Sequence, residues 1–236
     1  MKKILVNTLD EILNILYPEK NTCMICDYWD KYIGEDYICR ECFLKLKELK
    51  GHRCRICSKP LVGAGDVCLE CIEHKKYFKK IYSPYLYKGE LKEVIKDYKY
   101  NNKPYFYKML GHLLLEYIKG IDINIDIITF VPLHKNKKRK RGYNQAELIA
   151  KYLGKRLDIP CMKLIERTVD TIPQNKLNNE DRRQNLKNTF KSIEKVKNKK
   201  ILIVDDVYTT GTTINECSKV LIKAESEIIY GLTITR

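Results

Sequence analysis

The sequence predicts an α/β protein in which a Rossmann-like parallel sheet follows a small cysteine-rich module. Apolar runs at 127–131 and 201–204 are short and rich in β-branched residues, as buried parallel strands are, and each leads through a polar segment into a helical pattern. Eight cysteines fall in C-x-x-C pairs before residue 75. The length of 236 residues suits one full domain and one small one.

The first segment, 1–19, predicts a short amphipathic helix. Apolar residues recur there at helical spacing and stop before Pro18: Leu9, Ile12, Leu13 and Leu16. The segment lacks the basic and aromatic polar face of a membrane-binding helix, so we expect its apolar face to pack within the protein. Acidic residues at positions 10 and 11 make it unlike an export signal, which predicts a cytoplasmic location.

The second segment, 20–75, predicts a double zinc ribbon. Its cysteine pairs are Cys23/Cys26, Cys39/Cys42, Cys54/Cys57 and Cys68/Cys71. In a reducing compartment, four C-x-x-C pairs in tandem are typical of tetrahedral Cys₄ sites that hold zinc through thiolates. The spacing between pairs suits two structural zinc ions, one held by the first two pairs and one by the last two, and it leaves open a crossed arrangement in which alternate pairs share a metal. Ribbons of this size have little core, so the metal should supply much of their folding free energy.

The remaining segment, 77–236, carries most of the positive charge. The chain has a net charge of +15, and residues 1–76 contribute 13 basic and 12 acidic side chains, whereas residues 77–236 contribute 32 and 18. An excess of this kind attracts anionic ligands. No stretch approaches eighteen uninterrupted apolar residues, so we expect no membrane span.

The most restrictive motif is VDDVYTTGTT, residues 204–213, which lies between an apolar strand and a helical pattern. Backbone N–H groups at a helix N-terminus favour a phosphate, and threonine hydroxyls add donors. Asp205 and Asp206 then lie at the carboxyl end of the strand, where open α/β sheets bind ligands, and two carboxylates there can accept hydrogen bonds from a ribose diol. The alternative is an acidic strand end followed by an ordinary threonine N-cap.

This motif closely resembles the phosphoribosyl diphosphate (PRPP) signature of type I phosphoribosyltransferases. The resemblance implies that Asp205 and Asp206 hold the ribose 2′- and 3′-hydroxyls. It also implies that the following turn holds the 5′-phosphate through Thr209, Thr210, Gly211, Thr212 and Thr213.

A basic run, Lys135–Arg141, follows the other predicted strand. We expect it to form a loop beside the acidic motif, because both follow strand carboxyl ends. The surrounding segment VPLHKNKKRKRGYNQAELIA resembles the hallmark of the ComF/GntX family, which joins an N-terminal zinc-ribbon region to a phosphoribosyltransferase domain. In that family the loop contacts the diphosphate of PRPP. The resemblance therefore assigns the following residues to diphosphate binding: Arg139, Arg141, Gly142, Asn144 and Gln145.

The segment between the two motifs follows the spacing of the family's mobile flap. The resemblance assigns Arg167, Gln174, Arg182 and Arg183 to this flexible loop. The polar residues 178–181 in its middle suit an exposed lid, although composition alone also fits a plain surface loop.

The resemblance implies displacement of diphosphate from the ribose C1 by a nitrogenous nucleophile, with Mg²⁺ bound through oxygens of PRPP or a related ribose phosphate. It also implies competence, that is, DNA uptake and natural transformation, with single-stranded DNA and competence proteins such as the ComF-operon helicase as partners. Two alternatives stay open, namely a phosphoribosyltransferase of small-molecule metabolism without a DNA role and a PRPP-sensing zinc-ribbon adaptor. The acceptor and the occurrence of catalysis are left open, because no residue stands out as recognising a base.

Overall fold

The computed structural model describes residues 21–169, 186 and 188–236. The predicted N-terminal helix at 1–19 lies outside the described residues, as do three of the four predicted flap residues, Gln174, Arg182 and Arg183.

A four-stranded parallel sheet forms the centre of the larger domain, which confirms the predicted fold class. The strands of the described chain are β1 (Lys80–Tyr82), β2 (Ile127–Phe130), β3 (Ile165–Arg167), β4 (Phe190–Ser192), β5 (Lys200–Val207) and β6 (Ile228–Thr235). The sheet has the order β1-β6-β5-β2, and each neighbouring pair is parallel. Strands β3 and β4 form a separate antiparallel pair. The apolar residues of β5 from 201 to 204 are fully buried, as expected for a central strand covered on both faces.

Helices cover both faces of the sheet. The α-helices of the described residues are α1 (Arg40–Lys45), α2 (Leu69–Glu73), α3 (Gly89–Tyr100), α4 (Tyr107–Lys119), α5 (Lys135–Arg141), α6 (Gln145–Leu157) and α7 (Thr212–Lys223). One hydrophobic cluster includes α3, α4 and α6, and the other includes α7. No helix within the described part of the chain is long and apolar enough to cross a bilayer.

The basic run forms the helix α5, whereas the sequence predicted a loop. Lysine and arginine are good helix formers, which explains why seven consecutive polar residues form two helical turns. His134 caps the start, because its Nδ1 accepts a hydrogen bond of 3.4 Å from the Asn136 amide. Gly142 ends the helix at φ +80°, a left-handed conformation that glycine adopts without steric cost.

The cysteine-rich module packs directly against the α/β domain. Ser58 Oγ donates a hydrogen bond of 2.6 Å to the Ile81 carbonyl of β1. On the other side, Glu35 accepts an ion-pair contact of 2.8 Å from Arg156 of α6. The exact division of the chain into 20–75 and 77–236 stays a prediction.

Candidate functional site

The eight cysteines form two compact clusters that pair in sequential order. Cys23, Cys26, Cys39 and Cys42 form one cluster, and Cys54, Cys57, Cys68 and Cys71 form the other. Within each cluster all four sulfur atoms lie within 4.8 Å of one another. The sulfurs of Cys57 and Cys68 are 3.6 Å apart, which matches the separation of about 3.8 Å expected across a zinc tetrahedron with Zn–S bonds of about 2.3 Å. The crossed pairing left open by the sequence is therefore wrong.

The chemistry around these sulfurs also suits zinc. Burial disfavours the thiolate of Cys54, but hydrogen bonds from backbone N–H groups lower the pKa of this thiol to about 6. One of them comes from the Cys68 amide, 3.4 Å from the Cys54 sulfur. In the first cluster the Cys42 amide lies 3.5 Å from the Cys39 sulfur. Because zinc is bound by thiolates, donors that stabilise the ionised sulfur fit a structural Cys₄ centre.

The acidic pair lies at the carboxyl end of β5, as predicted. Asp206 Oδ1 is 2.7 Å from the ammonium group of Lys99, and both side chains are largely buried, with 13% and 19% of their surfaces exposed. Asp205 accepts a hydrogen bond of 2.9 Å from the Asp206 amide. The two carboxylates are therefore held differently, one by a cation and one by the backbone, and both line one cavity at this end of the sheet.

Burial and neighbouring charges shift the pKa values of Asp205 and Lys99. Burial and the neighbouring charge of Asp206 raise the pKa of Asp205 to about 7, although Lys99 and Arg167 act in the opposite direction. Burial alone would lower the pKa of Lys99, but the charge and hydrogen bond of Asp206 raise it above the ordinary value. Lys99 is consequently a fixed positive charge beside a carboxyl group that titrates near neutral pH.

The turn after β5 leads directly into α7. Gly211 is the N-cap of that helix at φ +73°, and the amides of a first helical turn lack intrahelical acceptors. The hydroxyl groups of Thr210 and Thr212 are 2.9 Å apart and satisfy each other. Thr209, Gly211 and Thr213 line the cavity next to the acidic pair. The five residues assigned to the phosphate span this turn and the start of α7, and two of them, Thr210 and Thr212, do not line the cavity.

The same cavity, of about 1020 Å³, is closed on another side by the basic helix. The α5 residues that line it are Lys137, Arg139, Lys140 and Arg141, followed by Gly142. The structure thus brings the basic segment and the acidic motif together, as the strand ends predicted. Arg141 is oriented by Gln145, whose Oε1 accepts a hydrogen bond of 2.9 Å from the guanidinium.

Asn144 and Gln145 themselves are buried and support the fold. Asn144 caps α6, because its Oδ1 accepts a hydrogen bond of 3.1 Å from the Ala146 amide, and its Nδ2 donates to the Val131 carbonyl at 3.0 Å. Gln145 donates to the Tyr98 carbonyl at 3.2 Å. Neither side chain lines the cavity, so their predicted contact with the diphosphate would be indirect, through the orientation of Arg141 and the start of α6.

Arg167 is the described member of the predicted flap, and it also lines the cavity. It ends β3 and is buried, with its guanidinium 5.6 Å from the centre of the Phe190 ring. Its charge opposes the rise in the pKa of Asp205. One of the four predicted flap residues therefore lies in a strand on the same cavity as the acidic pair, and its part in a flap stays a prediction.

Sequence reasoning missed Lys99 and Tyr100, which end α3 at the cavity wall. A signal was present, because Lys99 continues the buried stripe of Leu91 and Ile95 at four-residue spacing. A charged residue in such a stripe indicates a buried partner. Tyr100 is 64% exposed, and the Arg141 guanidinium lies 5.1 Å from the centre of its ring.

Comparisons with known proteins identify the family of this chain. A double zinc ribbon domain model matches residues 12–72, and a phosphoribosyl transferase domain model matches residues 99–234. Among solved structures, adenine phosphoribosyltransferase from Leishmania donovani aligns with a TM-score of 0.39 at 11% identity over 64% of this chain and 70% of that chain, a likeness too distant to support a conclusion.

Curated relatives match over most of the chain. Competence protein F of Haemophilus influenzae is 32% identical over 85% of this chain and 92% of its own length. Competence protein ComFC of Bacillus subtilis is 23% identical over 92% of this chain and 95% of its own, and the DNA utilization protein YhgH of Escherichia coli K12 is 28% identical over 72% and 78%. With a double zinc ribbon, a phosphoribosyltransferase domain and these relatives, the chain belongs to the ComF family.

Proposed function

We propose that this chain binds PRPP with Mg²⁺ in the cavity between β5, α5 and α7, and that it acts in DNA uptake during natural transformation. One observation carries the ligand proposal. The acidic pair, three residues of the segment 209–213 and four basic side chains of α5 line a single cavity. Together these features are complementary to a ribose with phosphates at both ends. The carboxylates can accept hydrogen bonds from the diol, and the helix N-terminus and the basic side chains can each bind a phosphate group.

The roles of the residues follow from their positions. Asp205 and Asp206 accept hydrogen bonds from the ribose hydroxyls, and the turn with Gly211 receives the 5′-phosphate. Arg139 and Arg141 face the diphosphate from α5. Arginine suits that position, because its planar guanidinium donates two parallel hydrogen bonds to phosphate oxygens.

The cavity also fits Mg²⁺ as a companion of the ligand. Mg²⁺ prefers oxygen ligands and keeps several waters, so oxygens of PRPP together with waters would form a suitable donor set beside Asp205 and Asp206. When bound, the ion neutralises charge on the diphosphate. The chain's own part is to hold the ribose and to keep the basic side chains of α5 at the leaving group.

Transfer of the phosphoribosyl group and sensing of PRPP without catalysis require the same ribose- and phosphate-binding residues. A transferase in addition needs an acceptor beside the ribose C1. Tyr100, exposed on the cavity wall next to Lys99, offers a flat surface on which a planar nitrogenous acceptor can stack. We therefore favour a phosphoribosyl transfer with an aromatic acceptor over a sensing role.

The role in DNA uptake rests on the relatives, which are named as competence and DNA utilization proteins, and on the charge of the larger domain. Single-stranded DNA is proposed as a second ligand, bound along α5 with Tyr100 as a stacking surface. Competence proteins such as a helicase are proposed partners in a reducing cytoplasm, where the Cys₄ sites keep their thiolates.

Calorimetry tests the ligand proposal. The parent chain should bind PRPP in the presence of Mg²⁺, and Asp206→Ala should lose on the order of tenfold in affinity, since one charge-assisted hydrogen bond contributes about 1.5–3 kcal/mol. Asp122→Ala is the matched control, because Asp122 is exposed and does not line the cavity. Absence of Mg²⁺-dependent binding to the parent would refute the proposal. Diphosphate release on addition of candidate bases then separates a transferase from a sensor.

A further inference from the structure

Tyr208 lies between the predicted phosphate turn and the second zinc ribbon. Its side chain is 3% exposed, although it belongs to the polar motif that follows β5. The hydroxyl group lies against Gly211, where a Cβ atom would overlap it. The Tyr208 ring therefore occupies the space that a side chain at position 211 would need, and it packs against the backbone of the turn.

The other side of the Tyr208 ring faces the ribbon. The guanidinium of Arg236 lies 4.8 Å from the centre of this ring, and its Nη1 donates a hydrogen bond to the carbonyl of the zinc ligand Cys57. Phe78 packs edge-on against the same ring, with 6.4 Å between the ring centres. A continuous chain of contacts thus runs from Cys57 through Arg236 and Tyr208 to Gly211.

The ribbon is also tied to the neighbouring sheet edge. The Ile81 amide donates to the Ile56 carbonyl at 2.8 Å, and Ser58 Oγ donates to the Ile81 carbonyl at 2.6 Å. Residues 56–58 are the C-terminal part of the Cys54/Cys57 knuckle, so the geometry of this backbone depends on the metal that its cysteines hold.

The first ribbon makes a different attachment. Asp36 is 2.9 Å from His112 of α4, and Glu35 is 2.8 Å from Arg156 of α6. Arg156 also stacks on a tyrosine, Tyr152, at 5.4 Å. The first ribbon therefore contacts helices on the other hydrophobic cluster and does not reach the phosphate turn through these residues.

We propose that Tyr208 is a positioning residue that couples the second Cys₄ site to the phosphate turn, so that zinc at this site and a phosphate ligand at the turn stabilise each other. The ligand half of this inference rests on the proposed function. Coupling between two sites is reciprocal, so each ligand must strengthen binding of the other by the same factor. The first Cys₄ site is expected to lack this coupling.

Two full-length variants isolate the two metal sites. Cys39→Ser leaves zinc at the second site, and Cys68→Ser leaves zinc at the first. Hydrogen exchange of the peptide covering 208–216 should be faster in Cys68→Ser than in Cys39→Ser, measured without PRPP. PRPP with Mg²⁺ should then lower the equilibrium constant for transfer of zinc from Cys39→Ser to a chromogenic chelator by about fivefold or more, and leave that for Cys68→Ser unchanged.

Substitutions along the chain of contacts test the route. Arg236→Met should raise exchange at 208–216 and remove the effect of PRPP on zinc transfer, whereas Arg156→Met, which breaks the equivalent contact of the first ribbon, should do neither. Tyr208→Phe keeps the ring and should keep the coupling, while Tyr208→Leu should lose it.

The outcomes are separable. Equal exchange at 208–216 in the two cysteine variants, or equal behaviour of Arg236→Met and Arg156→Met, would overturn the coupling. A parent chain that does not bind PRPP would overturn the proposed function, and the exchange measurements, which contain no PRPP, would still decide whether the ribbon positions the turn.

Discussion

Lys99 and Asp206 form an ion pair of 2.7 Å at the wall of the cavity, between the last turn of α3 and the carboxyl end of β5. The pair links the helix to the residue that the family resemblance assigns to the ribose. A ribose hydroxyl that donates to Asp206 must share this carboxylate with Lys99. The lysine thus holds the Asp206 carboxylate in place before the ligand arrives.

Removal of Lys99 should leave an unpaired, largely buried carboxylate. We expect Lys99→Met to lower the free energy of unfolding by about 1–3 kcal/mol and to weaken PRPP binding, because two neighbouring negative charges then face the ligand. Lys96→Met is a matched control, since Lys96 forms a comparable 2.9 Å pair with Glu93 on the exposed face of the same helix. That pair is exposed to solvent and should contribute little to stability. Equal losses in urea denaturation would contradict the prediction.

The raised pKa of Asp205 predicts that the free energy of unfolding depends on pH. Its pKa in the folded protein is about 7, above the ordinary value of about 3.9, so the folded state binds the proton more tightly than the unfolded state. The carboxyl group therefore destabilises the fold increasingly as pH rises from about 4 to 7, and constantly above that range. Asp205→Asn should gain stability relative to the parent by about 1 kcal/mol more at pH 8 than at pH 6. Denaturation at both pH values checks this, and a difference that shrinks with pH would refute the raised pKa.

Gly211 should tolerate no side chain. Gly211→Val places a β-branched residue at φ +73° and drives its Cβ into the Tyr208 hydroxyl, so we expect loss of PRPP binding and a destabilisation of at least about 1–2 kcal/mol. Gly120→Ala is the control, because Gly120 has an ordinary φ of −80° and its nearest neighbour would be 3.6 Å from a Cβ. Thermal unfolding and calorimetry measure the two effects, and a binding-competent Gly211→Val protein would exclude the turn from the phosphate site.

The two Cys₄ clusters predict two zinc ions per chain. Cys39→Ser should release one of them and leave the other, because the clusters share no ligand. Cys161→Ser should retain both zinc ions, since Cys161 lies outside the clusters, where its backbone forms a parallel β-bridge with Ile128 of β2. Elemental analysis of protein purified without chelator provides the counts. Fewer than two ions in the parent, or loss of both in Cys39→Ser, would contradict independent sites.

The sequence predicted the parts of the site that follow strand ends, because hydrophobic periodicity places β2 and β5 and the parallel topology brings their carboxyl ends together. It did not predict that Lys135–Arg141 is helical, since helix propensity and a capping histidine are weak signals beside a run of like charges. The contact of Tyr208 with the ribbon was missed because it joins side chains of elements far apart in sequence, and a single sequence carries no record of such contacts. Lys99 did carry a signal, its place in the buried stripe of α3, but that signal does not identify Asp206 as its partner.

The basic helix predicts salt-dependent binding of single-stranded DNA. Lys137 and Lys140 line the cavity on α5, and reversal of both to glutamate should weaken binding and make the log–log salt dependence shallower by about 0.7 per lost phosphate contact. Lys138 is kept, because its 3.0 Å pair with Glu147 ties α5 to α6. Mobility-shift titrations at several salt concentrations give both the affinity and the slope.

The control must carry the same change in net charge elsewhere. Reversal of Lys155 and Lys199, which are exposed and do not line the cavity, alters the total charge by an equal amount. If DNA binds along α5, only the α5 variant should show a shallower salt dependence of binding. PRPP should then compete with DNA, since both need the same positively charged cavity wall. Equal weakening by the two double reversals would indicate that DNA responds to the overall field alone. In that case the basic helix would serve the diphosphate, and the role in DNA uptake would depend on protein partners.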